Sequence, residues 1–312
     1  MLTMADSTLL FSFNRFSGMN NVEESFRIPV VQDTHGHILN DMNELENLDI
    51  DNSMILSTRP GSDQKLSGAD IHSLWSDGNI TCLFVDSAIL YKLNPGYVSP
   101  VSTALGTVGS GQMSYTQWND RVYMTNEFFI GYLHADILTS LATPVRNYKL
   151  PLPAGKFIAY FQGKLYIAKG NVLYVSDALC DHYDIRTGYR TFANNITMLR
   201  PVNDGIYVAD GKTWFLYEKR MFVGDPAEFK RDMVLDKDAI PFTDVSINGS
   251  FIGEGIEGDV AIWTSTDGIC FGDNMGKVKN LTRSRYSMSP YGIGGSVVRN
   301  LNGTVHYITV LE

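Results

Sequence analysis

The stretch Lys164-Leu165-Tyr166-Ile167-Ala168, with its continuation Asn171-Val172-Leu173-Tyr174-Val175, decides the fold of this chain. Two apolar-aromatic triplets are joined by a tight polar turn, a pattern typical of a β-hairpin. The phrase recurs along the chain, with first triplets that begin at Leu48, Leu83, Val122, Leu165, Ile206, Val260 and Val305. Successive starts lie 35, 39, 43, 41, 54 and 45 residues apart, which is the period of a four-stranded propeller blade.

The repeat predicts an all-β fold, a β-propeller, because each copy alternates with the two-residue period of a strand and no long helical pattern competes. The last copy stops at Leu311-Glu312 after one triplet strand, and the early copy from Leu48 to Leu56 could supply the missing partner. Strands from the N- and C-terminal regions would then close a ring of six blades and leave no open sheet edge. A ring of seven blades, one of them built from residues 1–60, is the alternative.

Two segments interrupt the period. Residues 1–47 carry little of the repeat and predict an extended N-terminal arm, followed by a propeller over residues 48–312. The longest step contains an insertion at about 218–244, and insertions in repeat proteins usually form loops on one face, often the binding face. Arg, Met and aromatic residues in this insertion suit a protein contact; the alternative is an ordinary solvated loop. The predicted interface residues are Lys219, Arg220, Phe222, Phe229, Lys230 and Arg231.

Charge and cysteine usage limit the function. With 25 Lys and Arg against 34 Asp and Glu, the net charge of −9 argues against a surface that binds phosphate backbones, but allows an acidic channel through which DNA passes. Cys82, Cys180 and Cys270 are widely spaced, which predicts reduced and mostly buried thiols. The first residues lack a basic region ahead of an apolar run, and no apolar stretch reaches the ~18 residues of a membrane span. We therefore expect neither signal-dependent export nor a membrane anchor.

The sequence contains no recognisable catalytic, cofactor or metal motif, so we expect a protein that is not an enzyme and holds no cofactor. The candidates for the converging carboxylates of a glycosidase propeller stand beside the triplets, where turn-forming residues are the simpler interpretation. These candidates are Asp86, Asp177, Asp210 and Asp273.

Two further patterns could indicate a ligand site. Asp33, His35 and His37 would lie on one face of a strand as metal ligands, although a polar turn is the simpler interpretation. Tryptophans recur in successive repeats, where sugar stacking is possible but packing between neighbouring blades is favoured, because large aromatics fill the wedge between adjacent sheets. They are Trp75, Trp118, Trp214 and Trp263.

Three motifs open the chain: Phe16-Ser17-Gly18-Met19-Asn20-Asn21, then Glu46-Asn47-Leu48-Asp49-Ile50-Asp51-Asn52, then Leu56-Ser57-Thr58-Arg59-Pro60-Gly61. Together they resemble the opening of virion propeller proteins of tailed bacteriophages, which are similar to the nozzle, or packaged-DNA stabilisation, components of short-tailed phages. The chain differs at Leu48, where Val is usual, and at Ser57-Thr58, which replace a basic pair. The resemblance covers about sixty residues.

This resemblance implies a non-enzymatic structural subunit of a phage tail or head-tail assembly. Such subunits repeat around the tail axis, often as a hexameric ring, and contact other tail, portal or adaptor proteins. DNA would leave through the ring without sequence-specific binding, and we expect Asp and Glu to outnumber Lys and Arg at that lumen because of the negative net charge. The expected location is the virion tail, assembled in the host cytoplasm.

Two other functions remain open at this point. A propeller that binds or cleaves carbohydrate for host recognition would place inward carboxylates within ~5–10 Å of each other. A cellular interaction scaffold would share the blades but not the opening motifs.

Overall fold

The computed structural model of the chain describes residues 16–19, 31–32, 38–42, 48–50, 56–58, 66–78, 81–94, 102–141, 145, 147–178, 181–219, 228–252, 256–282, 290–301 and 304–311. The chain divides into two compact units. The first comprises Met1–Ser62 with Thr282–Ser287, and the second comprises Asp63–Leu281 with Met288–Glu312.

The first unit contains five short strands: β1 (Phe16–Met19), β2 (Val31–Gln32), β3 (Ile38–Met42), β4 (Leu48–Ile50) and β5 (Leu56–Thr58). Strand β3 lies between β1, which is parallel to it, and β2, which is antiparallel. Strands β4 and β5 form a separate antiparallel hairpin with Leu48 opposite Thr58. The repeat phrase that begins at Leu48 therefore forms the predicted hairpin.

The second unit contains five four-stranded antiparallel sheets, here called blades I to V. Blade I comprises β6 (Ile71–Ser76), β7 (Cys82–Asp86), β8 (Ile89–Leu93) and β9 (Ser102–Thr107). Blade II comprises β10 (Ser114–Trp118), β11 (Arg121–Thr125), β12 (Ile130–His134) and β13 (Ile137–Ser140). Strand β14 (Lys149–Pro151) precedes blade III, which comprises β15 (Phe157–Phe161), β16 (Lys164–Lys169), β17 (Val172–Val175) and, after β18 (His182–Asp184), β19 (Tyr189–Thr191).

The remaining strands continue the same order. Blade IV comprises β20 (Met198–Pro201), β21 (Ile206–Ala209), β22 (Thr213–Lys219) and β23 (Glu228–Leu235). Blade V comprises β24 (Val245–Asn248), β25 (Asp259–Ser265), β26 (Gly268–Gly272) and β27 (Val278–Asn280), with a 3-10 helix at Gly249–Phe251. A C-terminal hairpin consists of β28 (Gly294–Leu301) and β29 (Thr304–Leu311).

The all-β, propeller-type architecture predicted from the repeat is confirmed, because each blade is a meander that follows the chain order, and the described part contains no α-helix. The first triplets of the five blades all fall in the second strand, and the second triplets fall in the third strand. The phrase is thus the inner pair of a four-strand unit. Hairpins β4–β5 and β28–β29 form two separate sheets in the described residues.

Blades II, III and IV each bury both faces of the second strand against the neighbouring blades. In blade III, Leu165 and Ile167 pack into a cluster shared with blade II, while Tyr166 packs into a cluster shared with blade IV. Blade IV repeats the pattern, since Val208 faces blade III and Tyr207 faces blade V. All of these side chains are at most 1% exposed. The core is therefore a series of apolar layers between consecutive sheets rather than one central cluster.

Side-chain hydrogen bonds join the first strands of neighbouring blades at intervals of one repeat. The backbone N–H groups of Ile158 and Tyr160 in β15 donate to Ser114 Oγ (3.2 Å) and Thr116 Oγ1 (3.1 Å) in β10, each 44 residues away. Arg200 in β20 donates from Nε to Asp244 Oδ2 at 2.7 Å, again across 44 residues. These bonds add directional contacts between first strands, and in β15 the apolar side chains are themselves buried in the layers between blades.

A second set of bonds fixes the segments that enter blades I, II and IV. In an antiparallel meander, the turn between the second and third strands lies at the same end as this entering segment. Asp86 Oδ1 accepts from the N–H of Asp70 (2.9 Å), and Asp210 Oδ2 accepts from the N–H of Ala193 (3.0 Å). Asn126 is the most extensively bonded member of the set. We call these three residues, Asp86, Asn126 and Asp210, the latch residues.

Asn126 is completely buried and uses both ends of its amide. Its Nδ2 donates to the carbonyl oxygens of Val108 (3.1 Å) and Gly111 (3.0 Å), which belong to the segment between blades I and II. Its Oδ1 accepts from the N–H groups of Phe128 (2.9 Å) and Phe129 (2.7 Å) in its own turn. One side chain therefore satisfies two donors and two acceptors away from water.

Replacing Asn126 by Ala should lower the free energy of unfolding by about 2–4 kcal/mol, because buried carbonyl and N–H groups would lose their partners. Urea denaturation followed by circular dichroism measures the change. Asn195→Ala, at an exposed position, is the matched control and should change stability by less than about 0.5 kcal/mol. Equal small effects of both substitutions would show that Asn126 does not hold the blade junction.

Candidate functional site

Three of the six predicted interface residues have described side chains. Phe229 and Lys230 are partly buried and Arg231 is exposed, all in β23. Lys219 is the last residue of β22, and its side chain is not described. Arg220 and Phe222 lie outside the described residues. Much of the described part of 218–244 is thus the outer strand pair of blade IV rather than loop.

Two of these residues, Phe229 and Arg231, pack against aromatic side chains of blades III and IV and the segment between them. The guanidinium of Arg231 lies over the rings of Trp214 (4.8 Å) and Phe192 (5.2 Å). The ring of Phe229 stacks on Tyr166 of blade III at 6.3 Å between centroids. These contacts fasten the outer strand of blade IV over the layer between blades III and IV.

The four candidate carboxylates act in separate local structures. Asp86 and Asp210 are latch residues, and Asp273 Oδ1 accepts from the N–H groups of Met275 (2.8 Å) and Lys277 (2.9 Å). Asp273 thus stabilises its own turn, as predicted, whereas Asp86 and Asp210 bond the segments that enter their blades. Asp177 instead pairs with Lys149 at 2.5 Å. Within the described ranges, no three His, Cys, Asp or Glu side chains are placed to hold a metal ion.

The tryptophans pack between blades, as predicted. Trp75 of β6 stacks on Tyr115 of β10 at 5.9 Å, and Trp118 of β10 stacks on Tyr160 of β15 at 4.8 Å. Trp263 of blade V is fully buried and lies 5.5 Å from the ring of Tyr207 in blade IV. Trp214 packs against the cluster between blades III and IV, and its Nε1 donates to Asp210 at 2.5 Å.

Two of the three cysteines are described, and both are free thiols. Cys270 is buried in the layer between blades IV and V, and burial raises its pKa. Burial also raises the pKa of Cys82. Both thiols are thereby kept protonated and weakly reactive. Cys180, and the proposed metal ligands Asp33, His35 and His37, lie outside the described residues.

A shallow polar cleft of about 560 Å³ lies beside the Asp210 latch, where the turns of blades III and IV meet the segments that leave them. Asn194 donates from Nδ2 to the Asp210 carbonyl at 2.9 Å, and Thr197 donates from Oγ1 to Asp238 Oδ1 at 2.5 Å. Amides, a hydroxyl and one carboxylate thus dominate the lining. The lining residues are Asn171, Ala193, Asn194, Asn195, Thr197, Gly211 and Asp238.

A charged ribbon beside blade III has no counterpart in the sequence prediction. Strands β14 and β18 pair antiparallel, with Lys149 opposite Asp184. Arg186 donates to Asp184 from Nε (3.0 Å) and from a terminal guanidinium nitrogen (2.7 Å), and Lys149 Nζ lies 3.1 Å from the same carboxylate. Lys149 also pairs with Asp177, which accepts a further contact from His182 Nε2 at 3.2 Å.

The ribbon network shifts the acidity of its members. Hydrogen bonds from Arg186 hold the pKa of the nearly buried Asp184 carboxyl well below its usual range. The hydrogen bond to Asp177 raises the pKa of Lys149. Both shifts favour the charged forms, so the network is an ion-pair clamp and not a proton-transferring pair. The sequence signal for it was only Asp177 beside a triplet, because Lys149, which joins Asp177 to Asp184, comes from a different strand earlier in the chain.

Comparison with known proteins gives the fold and no closer relationship. No protein family and no curated protein matches the chain by sequence. A chain from the S. cerevisiae complex of Dbp5 bound to Nup159, Gle1, IP6 and ADP matches with a TM-score of 0.50 and 11% identity over 96% of this chain and 93% of that one. This likeness concerns the fold alone.

Two further solved structures are more distant. The WD40 β-propeller domain of Doa1 has a TM-score of 0.46 and 12% identity, over 77% of this chain and 83% of its own. A gluconolactonase from Xanthomonas campestris has a TM-score of 0.42 and 9% identity, over 78% of this chain and 87% of its own.

Replacing Asp184 by Asn should destabilise the chain at neutral pH and much less in acid. Because its pKa is lowered on folding, Asp184 contributes stability above the pKa of the unfolded chain, and this contribution is lost as pH falls through the lowered folded pKa. Thermal melts at a series of pH values measure the difference from wild type. The control is Asp236→Asn, which breaks a pair with Lys212 in an exposed setting and should have a smaller effect. A pH-independent difference at Asp184 would contradict the clamp.

Proposed function

We propose that the chain is a non-enzymatic structural subunit of a phage tail or head-tail assembly, similar to a tail nozzle. The opening motifs at residues 16–61 carry this proposal, since they resemble virion propeller proteins. The use of Asp86, Asp210 and Asp273 in latches and turns supports a structural role, because none of the three is left for acid-base chemistry.

The proposed mechanism is mechanical and electrostatic. Copies of the chain assemble around the tail axis, six in our proposal, and contact tail, portal or adaptor proteins, while DNA leaves through the lumen without sequence-specific contacts. Layered apolar contacts and repeat-spaced hydrogen bonds would resist distortion by packed DNA. The first strands β6, β10, β15, β20, β24 and β28 carry no Asp or Glu. Among the described residues of the blades, the acidic side chains are therefore in the turns and connections and in the second to fourth strands, and we propose that they line a lumen formed by several copies.

We further propose six blades, closed by strands from the two terminal regions. The C-terminal hairpin supplies two strands, and β29 has no second partner among the described residues. Val297 of β28 and Ile308 and Val310 of β29 share one face of this hairpin and are 48%, 38% and 65% exposed. Residues 48–58 repeat the same hairpin phrase and would supply the two missing strands. Closure of this kind would remove an edge that otherwise invites aggregation.

A carbohydrate-binding propeller is the second candidate function. The observation that favours it is the polar cleft beside Asp210, whose amide and hydroxyl lining suits a polyhydroxylated ligand. Retention on a glycan array by the wild type, and its loss in Asn171→Ala, would support this candidate. If the wild type binds no glycan on the array, this second candidate function is excluded.

Ring closure predicts the hydrogen exchange of β29. The outward-pointing amides of this strand should exchange slowly in the full chain, because a further strand would accept their hydrogen bonds. Strand β23, the outer strand of blade IV, is the matched control. Its amides that point away from β22 should exchange quickly, because no strand lies on that side among the described residues. Hydrogen-exchange mass spectrometry measures both. Equally fast exchange at the two edges would contradict closure.

The structural role predicts that the chain is a component of virions. Mass spectrometry of purified phage particles should detect it in multiple copies, and antibodies against it should label the tail in electron micrographs. Negative-stain images of the purified chain should show rings with a central hole. Absence of the chain from intact particles would overturn the proposed function.

A further inference from the structure

The turn at the end of the β14–β18 ribbon exposes large side chains close together. We call this surface the ribbon turn, and it comprises residues 147–149 and 184–191. The fractional exposures are 57% for Tyr148, 41% for Ile185 and 43% for Tyr189, and the side chain of Arg186 is 60% exposed. Tyrosine and arginine are the residue types that dominate binding energy at protein interfaces.

These side chains are held in place before any partner arrives. The N–H of Ile185 donates to the carbonyl of Tyr148 at 3.0 Å, and the guanidinium of Arg186 lies 4.3 Å from the centre of the Tyr148 ring. Two bonds to Asp184 fix the plane of that guanidinium. Binding through an arginine that is already ordered avoids most of the entropy cost of immobilising it.

Backbone strain accompanies this arrangement. Tyr148 has φ of 62°, in the left-handed region that a bulky side chain rarely adopts. The fold supports that conformation through the β14–β18 pairing and the Ile185 bond. Strained residues of this kind concentrate at binding surfaces, where the strain fixes the direction of a side chain.

The charge of the ribbon turn is opposite to that of the chain. This surface carries three basic residues, Lys149, Arg186 and Arg190, against one acidic residue, Asp184, which is buried and pairs with Arg186 and Lys149, so its charge is positive. The chain as a whole has a net charge of −9. Two copies repel each other over most of their surfaces, so a contact between copies is favoured where the sign is reversed.

Three of the other large exposed apolar side chains in the described residues share one face of the C-terminal hairpin, and several more stand in separate turns. Phe128 lies in the central turn of blade II, Phe251 in the 3-10 helix of blade V and Met275 in the last turn of blade V. Single exposed side chains of this kind are normal on protein surfaces. The ribbon turn combines two tyrosines, an isoleucine and two arginines on the residue before β14, the turn after β18 and the start of β19.

We propose that the ribbon turn binds an acidic surface of a second copy of this chain. The inference rests on the proposed function, in which copies assemble around an axis, and it names the surface that would make the contact. Because the ribbon turn meets a different surface of the next copy, the contact is heterologous and closes a ring when the rotation permits. Arg186 supplies the charged contact, and Tyr148, Ile185 and Tyr189 supply the apolar area.

Sedimentation velocity of the full chain over a range of concentrations tests the proposal. Wild type should associate, and the association should weaken with added salt because charges of opposite sign meet. The double substitution Ile185→Ser with Tyr189→Ser leaves the Asp184 bonds intact and should weaken association about tenfold or more. Arg186→Glu should weaken it further, with thermal melts verifying that each variant is folded.

The matched controls change the same chemistry elsewhere. Arg299→Glu on β28 and Phe251→Ser on blade V alter an exposed charge and an exposed ring outside the ribbon turn, and association should remain as in wild type. Association of the double variant at wild-type strength would overturn this inference and leave the structural role standing. A wild type that stays monomeric would also overturn it, while detection in virions decides the structural role separately.

Nucleic acid is the other ligand that arginines and tyrosines could bind. A fluorescent single-stranded oligonucleotide added to the wild type distinguishes the two. If the wild type binds the oligonucleotide as a monomer, and Arg186→Glu abolishes that binding, the proposed contact between copies would be overturned. Absence of oligonucleotide binding together with salt-sensitive association is the expected result.

Discussion

The fold depends on one constraint, which is that the second strand of every blade is apolar on both of its faces. Leu165 and Ile167 point to one side of their sheet and Tyr166 points to the other, and all three are at most 1% exposed. A sheet with two apolar faces is buried only when another sheet covers each face. Each blade therefore needs two neighbours, and the repeat stacks in series.

Apolar layers alone would leave the ends of the blades poorly defined, because hydrophobic contact is not directional. The hydrogen bonds of the latch residues depend on direction, so they define the path of the chain at these ends. Asp86, Asn126 and Asp210 occupy the end of the second strand or the turn after it, and each bonds the segment that enters the same blade. These three side chains thus fix the path of the chain where it enters blades I, II and IV.

Prediction from the sequence succeeded where a local pattern sufficed. The triplets from Leu83 to Val260 located the second strands, and the tryptophans were correctly assigned to the layers between blades. It did not find the β14–β18 ribbon, because two three-residue strands separated by about thirty residues leave no periodic signal. It also did not indicate that Phe229 packs on Tyr166, since an apolar residue in a basic segment fits an interface and a core equally well.

The sequence by itself determined the all-β class, the period of the blades and the strand that forms the centre of each sheet, because these follow from alternation and spacing within about forty residues. Only the tertiary structure decided which polar side chains become latches, how Lys149 meets Asp177 and Asp184, and which exposed residues lie together on the ribbon turn. Those features depend on contacts between segments far apart in the chain. Their distances are set by how the sheets pack and not by any local preference.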